Sequence, residues 1–106
     1  MARRVSWSRP ALEDLDQIAG YIALDSKYYS AAFVREIRDA ARSLAELANR
    51  GRIVPELGAP AIRELLIGNY RLVYEVGSSE VMVLALIHGM RDLAALWERE
   101  GRPKGD

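Results

Sequence analysis

The side chains best able to do chemistry in this 106-residue chain are arginines on segments that read as strands. Arg63 stands in "IREL", Arg71 in "NYRLVY" and Arg91 in "HGMR". A guanidinium is a rigid fork of donors matched to carboxylate or phosphate, so three of them converging would form an anion site. Each also has an acidic neighbour to pair with, among Glu64, Glu75 and Asp92. Between Ala61 and Arg91 three positive side chains stand against three acidic ones, which favours pairing over an open anion site. His88 is the one histidine and stands three residues before Arg91, at the end of an apolar run. An imidazole titrates near neutrality, so it could move a proton beside a bound nucleic acid. His88 has the parity of Met82, Leu84 and Leu86, and the simpler expectation is a strand-end ring with one nitrogen bonded to backbone. Gly89 behind it suits a positive-φ turn or a close backbone approach.

Other chemistries are excluded by absence. There are no cysteines, so disulfides, thiolate metal sites and a thiol nucleophile are ruled out. A single histidine leaves a zinc site to carboxylates almost alone, and no metal or other cofactor is expected. The sequence has no phosphate-binding loop, no H-E-x-x-H and no G-x-S-x-G, so neither nucleotide binding nor a serine triad has a motif behind it. Lys+Arg and Asp+Glu both total 15 and cancel. Any contact with nucleic acid must then come from a local patch rather than an overall positive excess. The N-terminal "MARRVSWSRP" has no apolar run after its arginines, and the longest apolar run, Val81 to Ile87, is far too short to span a bilayer. The expectation is a cytoplasmic protein with no membrane partner.

These residues need a scaffold. "RRVSWS" alternates with Val5 and Trp7 on one side and reads as a first strand. Ser8 can cap the helix that follows, Pro10 fits its first turn, and Leu12, Leu15, Ile18, Ala19 and Ile22 make its apolar face. "DSKYYS" breaks the pattern, and a second helix carries Phe33, Ile37, Ala40, Ala41, Leu44, Leu47 and Ala48, ending near Asn49-Arg50-Gly51 with a glycine cap. "GRIVPELGAP" reads as a loop. Three strands follow, "AIRELLI", "YRLVYEV" and "VMVLALI", joined by "GN" and "GSSE". In the middle strand Leu72, Tyr74 and Val76 share one face, and Arg71, Val73 and Glu75 share a wetter one. The last strand is apolar on both faces, as an interior strand covered on both sides would be. "LAALWERE" reads as a short C-terminal helix, folded back through Trp97, before a polar tail from about residue 101. The fold expected is α+β over one domain, residues 1–106: a helical hairpin packed on a mostly antiparallel four-stranded sheet, in the order β-α-α-β-β-β. Tyr21, Tyr28 and Tyr29 gather at the hairpin turn, as packing residues or as an aromatic anchor for a partner.

Taken in order, "VSWSRPALEDLDQIAGYI", "GRIVPE", "IREL", "YRLVYEV" and "VMVLALIHGMR" resemble the RelE/ParE superfamily of bacterial type II toxin–antitoxin systems. The resemblance runs from about Val5 to Leu93, and "GRIVPE" and "HGMR" read closer to the ParE branch. It implies the same helical hairpin on an antiparallel sheet. It also implies a growth-inhibiting toxin of the kind found in plasmid stabilization, neutralised by a cognate antitoxin. An antitoxin segment that folds on binding would wrap the helices and sheet, making Tyr21, Tyr28 and Tyr29 antitoxin-binding candidates. Operator DNA would be met only through the antitoxin. ParE-like members poison DNA gyrase; RelE-like members cut messenger RNA on the ribosome without a metal. Arg71 matches a RelE-type catalytic arginine and Arg91 the second, while Arg63 falls where those strands carry lysine. The RelE-type tyrosine is replaced by Trp97, whose indole cannot act as a base. The reading is a gyrase-binding toxin without catalysis of its own, with Arg63, Arg71, Arg91 and Trp97 as target-binding candidates. The alternative is a ribosome-dependent endoribonuclease using Arg63, Arg71, His88 and Arg91. A further alternative is an inactive toxin-fold module that only binds or regulates.

Overall fold

The computed structural model describes residues 2–91, Leu93, Trp97 and Glu98. After strand β1 (Arg4–Trp7), Ser8 takes an extended conformation and its hydroxyl accepts from the Ala11 amide, starting α1 (Arg9–Ala23) with Pro10 in the first turn. The break is shorter than the sequence suggests. Ser26 caps α2 (Lys27–Ser43) through the Tyr29 amide, so Tyr28 and Tyr29 lie in the first turn of α2. α2 also ends earlier than expected, at Ser43 with Leu44 as its cap. Gly51 is not a helix cap; a Cβ there would come within 2.5 Å of the Glu64 carbonyl and 2.6 Å of the Tyr74 hydroxyl. Glycine is present at 51 because the sheet passes too close for any side chain.

The sheet has five strands rather than four, in the order β1-β5-β4-β3-β2. The extra member, β2 (Arg52–Ile53), is a two-residue strand inside the segment that reads as a loop. It pairs with β3 (Ile62–Ile67), which runs antiparallel to β4 (Tyr70–Val76) and on to β5 (Glu80–His88). β1 joins the far edge parallel to β5, which is therefore interior, as its two apolar faces require. Gly68 has φ 57° at the first position of the β3–β4 hairpin and Asn69 does not, the pattern of a type II′ turn.

Both faces of the sheet are covered. On one, α1 and α2 pack Leu15, Ile37, Ala41 and Leu44 against Leu72, Tyr74, Val81, Val83 and Leu86. On the other, the 54–59 segment and the C-terminal residues Leu93 and Trp97 bury Val73, Leu84, Ala85 and Ile87. The face of β4 that alternation marks as wet is thus a second core, with Arg71 and Val73 buried and only Glu75 half-exposed. Its coverage comes from chain distant in sequence, which strand parity cannot register. Leu93, Trp97 and Glu98 are helical; the remainder of the expected C-terminal helix, Asp92 and the tail from 99 lie outside the described residues.

One irregularity re-aims the site. The β4–β5 register shifts between Val73/Ala85 and Tyr74/Val83, leaving Leu84 as the extra residue. Leu84 and Ala85 consequently fall on the same side. Backbone groups near the shift find partners on the α1 side: Ser8 N–H donates to Val83 O at 2.9 Å and Leu86 N–H to Asp14 Oδ2 at 3.0 Å. Beyond the bulge the parity inverts. His88 lies with Tyr70 on the helix side and does not share the face of Met82 and Leu84.

Candidate functional site

The strand register separates the arginines. Leu66, not Arg63, stands opposite Arg71, and Arg63 stands opposite Tyr74. Arg63 therefore lies on the helix side, where Nη1 donates to the Gly51 carbonyl at 2.9 Å. Arg71 projects to the other face. Its side chain is 6% exposed, and its fork closes on Glu56: Nη1 donates at 3.1 and 2.9 Å to the two carboxylate oxygens, and Nη2 donates to Oε2 as well. Glu64 Oε1 lies 3.2 Å from Arg71 Nη1, within ion-pair range though not aligned as a hydrogen bond. Glu64 Oε2 accepts from Arg52 Nε at 2.6 Å, and the Glu64 side chain is 0% exposed. Two guanidiniums and two carboxylates thus form a closed, neutral cluster, Arg52–Glu64–Arg71–Glu56. A fully buried Glu64 is tolerable because it is ion-paired from two sides.

On the helix side, Phe33, Tyr70 and His88 form an edge-to-face row, with centroids 5.2 and 5.7 Å apart. His88 Nδ1 accepts from the Met90 amide at 3.2 Å, the backbone bond that its place at the strand end suggests. With Nδ1 accepting, a neutral ring carries its proton on Nε2. Gly89 serves a close approach, donating to Asn69 O at 2.8 Å, and its φ is not positive. The Arg91 amide donates to His88 O at 3.1 Å while its side chain is exposed. The nuclease set is therefore divided by the sheet: Arg63 and His88 on one face, Arg71 on the other, Arg91 past the strand end. Residues of both faces line a cleft of about 260 Å³ at the end of the sheet, formed by Arg52, Leu66, Tyr70, Arg71, His88 and Met90, among others. Leu66 and Met90 make its lip apolar, both being largely exposed.

Trp97 is fully buried in the second core, packed with Leu93, Val73 and Ile87. The tyrosines behave oppositely. Tyr21, Tyr28 and Tyr29 are 72%, 77% and 68% exposed, and Leu24 beside them is 82% exposed. Tyr28 and Tyr29 touch edge to face at 5.5 Å. Along α2 from this tip, Lys27, Arg35, Arg38 and Arg42 stand exposed on one flank. Arg42 pairs with Asp39; the other three form no ion pair among the described residues. The Tyr74 phenol donates to Ala48 O at 2.8 Å and accepts from Gly51 N. Burial pushes its pKa above 10.0, partly offset by the Gly51 hydrogen bond and the charges of Arg63 and Arg50.

Glu56, Arg52, Leu24, Leu66 and Met90 escape sequence reasoning. Glu56 sits in a loop with no periodicity, and the signal for it and for Arg52 is the phrase "GRIVPE", which contains both. Among the described residues, no group of three or more His, Cys, Asp or Glu could hold a metal ion, and no helix is long and apolar enough to cross a membrane.

A family model described as the ParE toxin of the type II toxin–antitoxin system parDE matches residues 5–93. Among solved structures, one described as the chromosomal ParDE toxin–antitoxin system from P. aeruginosa is similar at 24% identity and TM-score 0.68, over 82% of this chain and 96% of that one. One described as a RelBE2 toxin–antitoxin complex from Mycobacterium tuberculosis is similar at 18% identity and TM-score 0.61, over 83% and 99%. At these identities the two structures speak for the fold. No curated protein matches the chain.

Proposed function

Because the chain belongs to the ParE toxin family of type II toxin–antitoxin systems, we propose that it stops bacterial growth by binding DNA gyrase and cuts no nucleic acid itself. The observation that carries this reading is the state of Arg71. A nuclease needs a guanidinium free to meet the scissile phosphate as charge develops. Here the fork is filled by Glu56 and neighboured by Glu64. Trp97, in the place of a RelE-type tyrosine, is buried and supplies no hydroxyl. The zero net charge also disfavours docking on ribosomal RNA, where affinity rests on charge neutralisation.

The target-binding residues then divide by exposure. Arg91 contacts gyrase directly, beside the apolar lip of Leu66 and Met90. Arg71 and Trp97 hold that end of the sheet in shape, and Arg63, nearer the start of β3, ties that strand to the Gly51 carbonyl. The cognate antitoxin docks on the hairpin tip, where Tyr21, Leu24, Tyr28 and Tyr29 offer an apolar anchor and the α2 cations offer charge. The toxin acts in the cytoplasm, with no metal or cofactor, and meets operator DNA only through the antitoxin.

Expression tests the scheme. The chain produced alone should stop growth and give filamentous cells with broken DNA while translation continues. Co-expression of the antitoxin encoded beside it should restore growth. Rapid arrest of translation with cleaved messages would instead establish the ribosome-dependent endoribonuclease, and unaffected growth would leave an inert binding module.

A further inference from the structure

The Arg71 cluster contains more than a salt bridge. The guanidinium is fixed by the sheet: β4 is the middle strand, and Arg71 is paired with Leu66 on one side and Ile87 on the other. Its partner is not fixed in that way. Glu56 belongs to the turn between β2 and β3, a segment that reverses at Gly58 with φ 62°. Glu64 has no exposure and stands 3.2 Å from Arg71 Nη1, so Arg71 keeps a counter-charge without Glu56. The cleft at the end of the sheet is lined by Arg71, Arg52 and His88, among others. An anion arriving there has room and two guanidiniums within the same cluster.

We propose that Arg71 and Arg52 form an oxyanion site whose built-in ligand is the Glu56 carboxylate, and that Glu56 is the residue closing this site to phosphate groups. The bidentate fork on Glu56 is the geometry a guanidinium uses for a phosphate. With Glu56 in place the four charges cancel; without it the site carries one net positive charge over a buried Glu64. The idea stands on the cluster's geometry and does not depend on whether gyrase is the toxin's target.

The test uses the full chain and inorganic phosphate and pyrophosphate as probes, read by titration calorimetry and by the rise in Tm with added anion. Glu56→Gln keeps the shape of the side chain and removes its charge; Glu56→Ala removes both. Both variants should bind pyrophosphate at least about tenfold more tightly than the wild type, since each charge-assisted hydrogen bond gained is worth that much. Arg71→Lys added to Glu56→Gln should reverse the gain, because an ammonium cannot fork. Equal phosphate binding by wild type and variants would overturn the proposal, as would folded variants that gain none. Loss of folding in both variants would also overturn it, making Glu56 a strut and not a ligand.

Discussion

Arginine plays opposite parts in two regions of this molecule. On the far face of the sheet, Arg71 and Arg52 are spent on carboxylates within the chain. On α2, Lys27, Arg35 and Arg38 stand in solvent with no ion pair among the described residues, beside tyrosines that are themselves largely exposed. The difference is one of partners, not of residue type. A charge on an interior strand must be neutralised before the fold can close over it. A charge on the outer flank of a helix costs nothing to leave open, so it is free for another molecule. Substitutions in the first region should therefore register as stability, and in the second as binding.

The largest stability loss should follow Glu64→Ala. It removes the fully buried carboxylate and leaves Arg71 and Arg52 to share Glu56 alone, and breaking a buried pair this way costs about 3–5 kcal/mol. In a domain of this size that lowers the thermal midpoint by more than about 10 °C. A fall of under about 2 °C in a melting experiment would mean that the cluster is not holding the sheet. Trp97→Ala should cost a similar amount, about 3–5 kcal/mol, as a fully buried indole leaves a void in the second core. An unchanged urea midpoint would show that the C-terminal segment does not stay docked on the sheet.

Tyr74→Phe should be milder, about 1–2 kcal/mol, for the loss of the hydroxyl linking Ala48 O and Gly51 N. It also has a pH signature. Burial raises the folded-state pKa above the ordinary 10.0, so the folded chain holds this proton more tightly than the unfolded one. That contribution is present below pH 10.0 and is lost as pH rises through the folded value. Stability measured across the alkaline range should therefore fall more steeply in the wild type than in Tyr74→Phe; parallel curves would contradict the burial of the phenol. Smallest in stability are Tyr28→Ala and Arg35→Ala, each within about 0.5 kcal/mol. Antitoxin affinity should nevertheless drop at least about tenfold for the tyrosine, as for an interface anchor. A large stability loss with full antitoxin binding would reverse the contrast between the regions.

Much of the scaffold was legible in the residues. Ser8 and Pro10 mark the start of α1, the doubly apolar β5 marks an interior strand, and "GN" marks the β3–β4 hairpin. The site was less so. Period-two alternation runs straight through Leu84, where the register slips, and it therefore put His88 on the wrong face. It also could not show that Trp97 and the 54–59 segment cover the second face. The charge count rightly favoured pairing for Arg71, and Glu64 is one partner; the main one, Glu56, lies in a loop that no periodicity ties to β4. Pairings between elements far apart in the chain depend on register and coverage, which local pattern does not encode.

The most direct measurement incubates the purified chain with DNA gyrase, ATP and plasmid DNA, and in parallel with programmed ribosomes. The expected result is trapped, linearised plasmid that disappears when the antitoxin is added, with messages on the ribosome left intact. Gyrase turning over undisturbed while messenger RNA is cut, and the cutting lost in Arg71→Ala, would contradict it.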